Sequence, residues 1–360
     1  MTDVHQKSIR LAAVGDLLLT AKPGDSKARG LEALSDEVRE LFASCDLVFA
    51  NLECTLVGKD SVPTEPLVLS TEKQIRSLKG TGIDIVTLGN NHSFDCFDDG
   101  FGRVTSILDD IGIPWFGAGV NLSEALRPII LERNGVSLAF MGVVDQSSGP
   151  YQFARETGSG VAPLALEQTC NLIKKVKKNV DHVVISPHWG MERFRIPSPM
   201  QVQQAHRFVE AGASLVLGHH PHVIQGIETW HGSTILYSLG NFQANEVHWQ
   251  NDDILSWSRF ERTGMILLVD LAADGVLNVQ QIPVFDDGTT IDLDTSFVGD
   301  RYFRRANRLL QKGVTEKSFQ REKFYIQVVK PLLSQMKWSR LKRFRPGHFS
   351  KLAKLLLQSK

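Results

Sequence analysis

The stretch Gly218-His219-His220-Pro221-His222 follows directly on the apolar run Ala213-Ser214-Leu215-Val216-Leu217. Three of the chain's 11 histidines thus stand at the end of what reads as a buried strand. A strand ending in clustered imidazoles can hold metal-ligand side chains rigidly at the rim of a sheet. His220 and His222 are two residues apart, and in an extended backbone such residues point to the same side. Pro221 between them fixes φ and stiffens the presentation. The spacing therefore predicts that both reach one metal cluster. The plain alternative is a solvated turn that happens to contain histidines, so the reading depends on partners elsewhere in the chain.

Working outward, apolar runs at 9–14, 46–50, 83–88, 182–186, 214–217 and 234–239 read as strands. Between them, helices are predicted over 31–42, 71–79, 102–111, 166–178 and 198–211, the last with Ser198 as N-cap and Pro199 at its first position. Asn134-Gly135 and Asp274-Gly275 mark hairpins joining 126–131 to 137–144 and 265–271 to 276–284. Residues 57–70 and 146–161 read as loops. Strands alternating with helices make an α/β protein, and in such sheets ligands gather outside the carboxyl ends of the strands.

Those strand ends share a chemistry. They carry Asp16, then Asn51-Leu52-Glu53, then Asn91-His92, then His188, then His219, His220 and His222, then Asn241. Carboxylate, amide oxygen and imidazole together suit Mn, Fe or Zn. Six or more such groups exceed what one zinc needs, which argues for two ions. The expected ligands are Asp16, Glu53, Asn91, His188, His220 and His222, with Glu53 as the bridging carboxylate. Two ions about 3.5–4 Å apart would clamp an oxyanion such as phosphate. If Asn91 binds metal through its amide oxygen, His92 is free to protonate a leaving alkoxide, and Asp95 could orient it. His219 either faces the sheet interior or touches substrate, and Glu192 and Asn241 are candidates on the substrate side. Cys54 and Cys96 read as small buried side chains.

Gly15-Asp16, Asn51-Leu52-Glu53, Asn90-Asn91-His92-Ser93-Phe94-Asp95, Pro187-His188-Trp189-Gly190-Met191-Glu192, Gly218-His219-His220-Pro221-His222-Val223 and Tyr237-Ser238-Leu239-Gly240-Asn241-Phe242 occur in that order. This series resembles the CapA family of bacterial capsule and poly-γ-glutamate biosynthesis proteins, which is similar in turn to calcineurin-like metallophosphoesterases. The resemblance runs from about residue 9 to 285. It implies an α/β/β/α sandwich of two mixed sheets with a two-metal site at the strand ends. Departures are visible. The metallophosphoesterase series begins Asp-x-His, and here Asp16 is followed by Leu17-Leu18; Glu53 stands where the series has Asp; Asp95 comes three residues after His92 rather than next to it.

Charge is distributed unevenly. Residues 301–360 hold 17 Lys+Arg and two Glu, leaving 23 basic and 38 acidic residues in 1–300. The body is thus near −15 and the tail near +15, although the formal net charge is zero. A boundary is expected between a 1–295 domain and a basic, partly helical 296–360 extension that includes a short amphipathic helix at 351–357. That extension suits docking on the acidic body, lying on an anionic membrane surface, or holding an anionic polymer. No nucleic-acid recognition module is visible. Gly15 and Asp16 interrupt the apolar 11–19, and no run of 18 apolar residues occurs, so neither a secretory signal nor a membrane span is expected. The expected location is cytoplasmic, at most peripheral to the inner face of the membrane. The sequence thus points to a metal-dependent hydrolase of phosphoester or related bonds in cell-surface polymer synthesis. Its alternative is a non-catalytic polymer-binding or assembly factor that keeps the fold.

Overall fold

The computed structural model describes residues 7–22, 25, 28–59 and 63–331. Two mixed sheets dominate it. The first, of eight strands, runs Ile291–Leu293, Gly275–Asp286, Thr263–Ala272, Ser8–Leu18, Leu47–Leu52, Ile85–Thr87 and Trp115–Phe116, with Asn241–Ala244 also paired to Ser8–Leu18. The second, of six strands, runs Ile227–Trp230, Ser233–Leu236, Leu215–Leu217, His182–His188, Val136–Val144 and Ile129–Arg133.

The two-residue period of the strands builds the layers. Leu11, Ala13 and Phe49 of the first sheet meet Leu138, Phe140, Val184 and Leu217 of the second in a core between the sheets. Their neighbours Ala12, Val48 and Ala50 face the other way, against Val38, Phe42, Ile75 and Val104 from helices. Across the molecule Ala139, Met141, Val183 and Ile185 face Ile173, Ala205 and Phe208 of the helices Leu166–Val176 and Pro199–Glu210. Helix, sheet, sheet and helix are thus stacked as an α/β/β/α sandwich.

Local differences from the sequence expectation have identifiable causes. The first strand does not stop at Gly15-Asp16. It leaves its antiparallel partner after Ala13 and continues to Leu18 in parallel with Asn241–Ala244. Gly15 permits this crossing, because a Cβ there would lie 1.8 Å from the Gly240 carbonyl oxygen. The helix expected over 31–42 is divided. Leu34 is extended, and the Ser35 hydroxyl caps a new helix, Asp36–Ala43, by accepting from the Val38 amide. The helix expected from 102 begins at Phe97. Asn121 caps a short helix, Leu122–Ala125, and the strand expected from 126 starts at Ile129, beyond Pro128. Helix Glu72–Arg76 carries a Thr71–Gln74 capping box, and Ser198–Gln201 forms another before Pro199.

Beyond the sheets, helices Val298–Gln311 and Glu316–Phe324 pack on the body. Phe303 joins the core between the sheets, and Leu310 joins the outer core of the second sheet. Glu322 is buried against Arg195, with two side-chain hydrogen bonds of 2.7 and 2.6 Å. The helix expected at 351–357 lies outside the described residues. Among the described residues no helix is long and apolar enough to cross a membrane.

Candidate metal centre

At one rim of the sandwich the ends of strands from both sheets meet. Asp16, Asn51 and Asn241 are register neighbours in the first sheet, and His188 bridges to His219 at the end of the second. Asn51 stands between the two carboxylates. Its amide donates to Asp16 Oδ1 at 2.8 Å and to Glu53 Oε2 at 3.1 Å. Around Glu53 Oε1 lie His188 Nε2 at 3.6 Å, His222 Nε2 at 3.6 Å and His92 Nε2 at 4.0 Å. Ligand atoms of Glu53, His220 and His222 fall within 4.8 Å of one another, and so do those of Asp16, Glu53 and His188. Glu53 belongs to both groups.

The other expected residues take distinct places. Asn91 Oδ1 is 2.7 Å from His188 Nε2, and its amide nitrogen is 3.1 Å from His92 Nε2. His92 Nδ1 is 2.7 Å from Asp95 Oδ2. His219 is buried and turns onto Asp16, with Nδ1 2.8 Å from Oδ1, its ring edge-on to Phe49. Asn241 is also buried; its oxygen lies 2.9 Å from His222 Nδ1 and its amide donates to the Glu261 carbonyl. Both sit behind the cluster rather than at its opening. Glu192 is exposed at the mouth and makes no hydrogen bond among the described residues. Cys54 and Cys96 are buried beside the rim.

His220 and His222 do share one ligand group, but not through strand alternation. The backbone there is not extended: φ is 94° at His220 and 55° at His222. Two left-handed residues around Pro221 fold the segment back over its strand end, and this turn, not strand alternation, aims the rings. Holding non-glycine residues at positive φ costs energy, and such strain concentrates at functional sites.

Sequence reasoning missed the amides that hold the carboxylates. Asn51 lies two residues before Glu53 on one strand, and that spacing was the available signal. Asn90 donates to the Asn51 oxygen at 3.0 Å while accepting from the His92 amide and the Ser93 hydroxyl. Trp257, whose ring centre is 5.2 Å from that of His222, gave no signal because it is distant in sequence.

Burial and mutual charge set the protonation of the protein atoms. Burial, and then the charge of Asp16, push the Glu53 carboxyl up to about 8. Desolvation acts to raise Asp16, but hydrogen bonds from His219 and His222 hold it well below the carboxylate range. Desolvation opposes charging of His222, and Glu53 and Asp16 overcome this to raise it to about 10. His220 falls to about 3 through burial and the nearby His222 charge, and burial depresses His188 strongly. In the metal-free protein one imidazolium thus balances a buried carboxylate. A divalent cation would do this for both carboxylates and leave the imidazoles neutral. Glu53 Oε1, His188 Nδ1 and His220 Nδ1 are buried without hydrogen-bond partners among the described residues. Such orphaned atoms and this donor set fit a divalent metal ion.

An α/β/β/α sandwich that gathers carboxylates, amides and imidazoles at one rim is the class of protein that the motif series implied. Within that class, the chain belongs to the bacterial capsule synthesis protein PGA_cap family, whose profile matches residues 10–246. It is 31% identical over 221 residues to the PGA biosynthesis protein CapA of Bacillus subtilis, covering 60% of this chain and 58% of that protein. It is 25% identical over 319 residues to the capsule biosynthesis protein CapA of Bacillus anthracis, covering 86% and 75%. The match thus spans less than two thirds of the Bacillus subtilis protein. Among solved structures, a phosphatase from Mycoplasma pneumoniae superposes with a TM-score of 0.48 at 12% identity, over 81% of this chain and 97% of that one. A likeness that loose carries no argument about chemistry.

Proposed function

We propose that this chain is a metal-dependent hydrolase of a phosphoester or related bond in the synthesis of a cell-surface polymer. The observation that carries the reading is the place of Glu53, shared by the group with His220 and His222 and the group with Asp16 and His188. A carboxylate common to two ligand sets is where two ions would share a ligand. Bound there, Mn, Fe or Zn ions would polarise the oxygens of the scissile group and make water more acidic. Family membership supports the polymer context.

The chain's own residues do the rest. Asn51 fixes both carboxylates through one amide, and Asn90 fixes Asn51. The His92 side chain is 13% exposed, against 1% for His188 and 4% for His222, so it reaches the opening. Asp95 holds its Nδ1 and leaves Nε2 toward the site. Desolvation resists charging of His92, but Asp95 and Glu53 raise its pKa above the ordinary value. His92 is thereby suited to give a proton to a leaving alkoxide. At the mouth, an exposed Glu192 would turn away an anionic group that approached from its side.

The test is turnover of an aryl phosphate and of a bis-aryl phosphate by the full chain loaded with Mn or Fe. Turnover should disappear in Glu53→Ala and His222→Ala. Activity no higher than that of His222→Ala removes the hydrolase reading for these substrates. One observation favours a second reading, a non-catalytic factor that binds an anionic polymer or assists assembly. Leu18 stands where the metallophosphoesterase series has histidine, and both Asp16 oxygens are already engaged by the protein. Metal analysis separates the two readings: two equivalents per chain support the enzyme, and none after gentle purification supports the assembly factor.

A further inference from the structure

Helix Val298–Gln311 and the lysine that caps it form a second charged feature, outside the ligand set of the metal centre. Arg301, Arg305, Arg308 and Lys312 recur at helical spacing along one side. All four are exposed, and none has an acidic partner among the described residues. Arg304, beside them, does have one, with its guanidinium 4.0 Å from Asp300. An exposed cationic stripe without counter-charges is an electrostatic footprint for an anion.

The stripe borders a pocket of about 210 Å³ between this helix, the segment 325–330 and the body. Its walls are apolar and aromatic: Ile224, Phe260, Tyr302, Tyr325 and Ile326. Three cations line it. Arg195 is already committed to Glu322 at 2.6 Å and stacks over Tyr325, 4.3 Å from the ring centre. Lys330 is 3.8 Å from Glu261, a carboxylate that Arg193 already holds at 2.8 Å. Arg305 is uncompensated. The chamber is smaller than the several hundred cubic ångströms typical of drug-sized ligands, so it suits a short apolar arm rather than a whole large molecule. Apart from Arg195 and Ile224, its lining lies beyond residue 246, outside the stretch that matches the family.

We propose that this pocket binds an amphiphilic anion, with the apolar arm among Tyr302, Tyr325 and Ile326 and the anionic head between Arg305 and Lys330. An alkyl phosphate and the phosphate with first carbons of an anionic lipid share this chemistry. The site does not depend on the hydrolase reading, since no residue of the metal centre lines it.

Calorimetric titration of the full chain with hexyl phosphate and, separately, with inorganic phosphate tests the proposal. Hexyl phosphate should bind saturably and at least tenfold tighter than inorganic phosphate. Arg305→Glu, at an exposed position that leaves the fold intact, and Ile326→Trp, which fills the chamber, should each weaken it tenfold or more. Equal binding of the two phosphates, or unchanged hexyl phosphate binding in both variants, overturns the proposal. Co-sedimentation with phosphatidylglycerol vesicles then assigns the source. Sedimentation lost in Arg305→Glu identifies the ligand as a membrane lipid, and hexyl phosphate binding without sedimentation identifies it as a free amphiphile.

Discussion

Replacing Asn51 tests the construction of the metal centre most directly. This side chain is fully buried, and its amide supplies hydrogen bonds to Asp16 at 2.8 Å and Glu53 at 3.1 Å while its oxygen accepts from Asn90 at 3.0 Å. In metal-free protein, Asn51→Ala strips both carboxylates of a common donor. At about 1.5–3 kcal/mol for the charge-assisted bond to Asp16 and about 0.5–1.5 kcal/mol for the bond to the protonated Glu53, the loss is about 2–4.5 kcal/mol. At roughly 1–2 °C per kcal/mol for a chain of this size, the unfolding midpoint in EDTA falls about 2–9 °C. Asn51→Asp keeps the shape but inserts a third carboxylate between the first two, so in EDTA it is the less stable variant. Saturating Mn reverses that order, because a cation turns mutual repulsion into shared coordination. The assay is a thermal melt of the three proteins with EDTA and with Mn. An EDTA midpoint for Asn51→Ala within about 1 °C of wild type would refute the donor role assigned to Asn51. Identical Mn responses of the Ala and Asp variants would refute the electrostatic account.

Further outcomes follow from the same geometry. Folded-state pKa values raised to about 8 at Glu53 and about 10 at His222, from ordinary values of 4.5 and 6.5, mean that the folded protein binds protons more tightly than the unfolded chain. Stability of the stripped protein should therefore decline as pH rises above about 6.5, with Glu53 contributing between 4.5 and 8 and His222 between 6.5 and 10, whereas toward acid pH the depressed His188 and His220, and below 3.8 Asp16, lower it again. Melts in EDTA at pH 6 and pH 9 check this, and a flat profile contradicts it. For an active enzyme, His92→Ala should lower kcat by about 10²–10⁴-fold without loss of bound metal. Asp95→Asn should shift the pH profile, and a fall in metal content in either variant would assign the pair to ligand support instead. Gly15→Ala places a Cβ 1.8 Å from the Gly240 carbonyl and forces the crossing strands apart. A destabilisation of about 1–3 kcal/mol or more, read by denaturant melts, is expected.

The layered fold was largely legible from local pattern. Apolar runs such as 182–186 and 214–217 can be buried only between other layers, and Asn134-Gly135 adopts the positive φ values, 52° and 73°, that its hairpin requires. Boundaries failed where a polar residue had two uses. Ser35-Asp36 looked like a flaw inside a helix, whereas the Ser35 hydroxyl starts one. Gly15-Asp16 looked like a strand end, whereas the chain there exchanges one partner strand for another.

Which residue types would gather at the rim could be read from the order of the strand ends, because the carboxyl ends of parallel strands share one edge whatever their separation in sequence. Orientation could not. His219, His220 and His222 are neighbours in the chain, yet His219 turns back onto Asp16, His220 joins the group around Glu53, and His222 lies between the two carboxylates. That division depends on left-handed backbone at His220 and His222, which no two-residue period describes. The roles of Asn51 and Asn90, the pairing of Arg195 with Glu322, and the pocket under the arginine stripe likewise came from packing. Each joins residues from separate elements, and burial and hydrogen bonding between such groups are set by three-dimensional neighbours rather than by spacing along the chain.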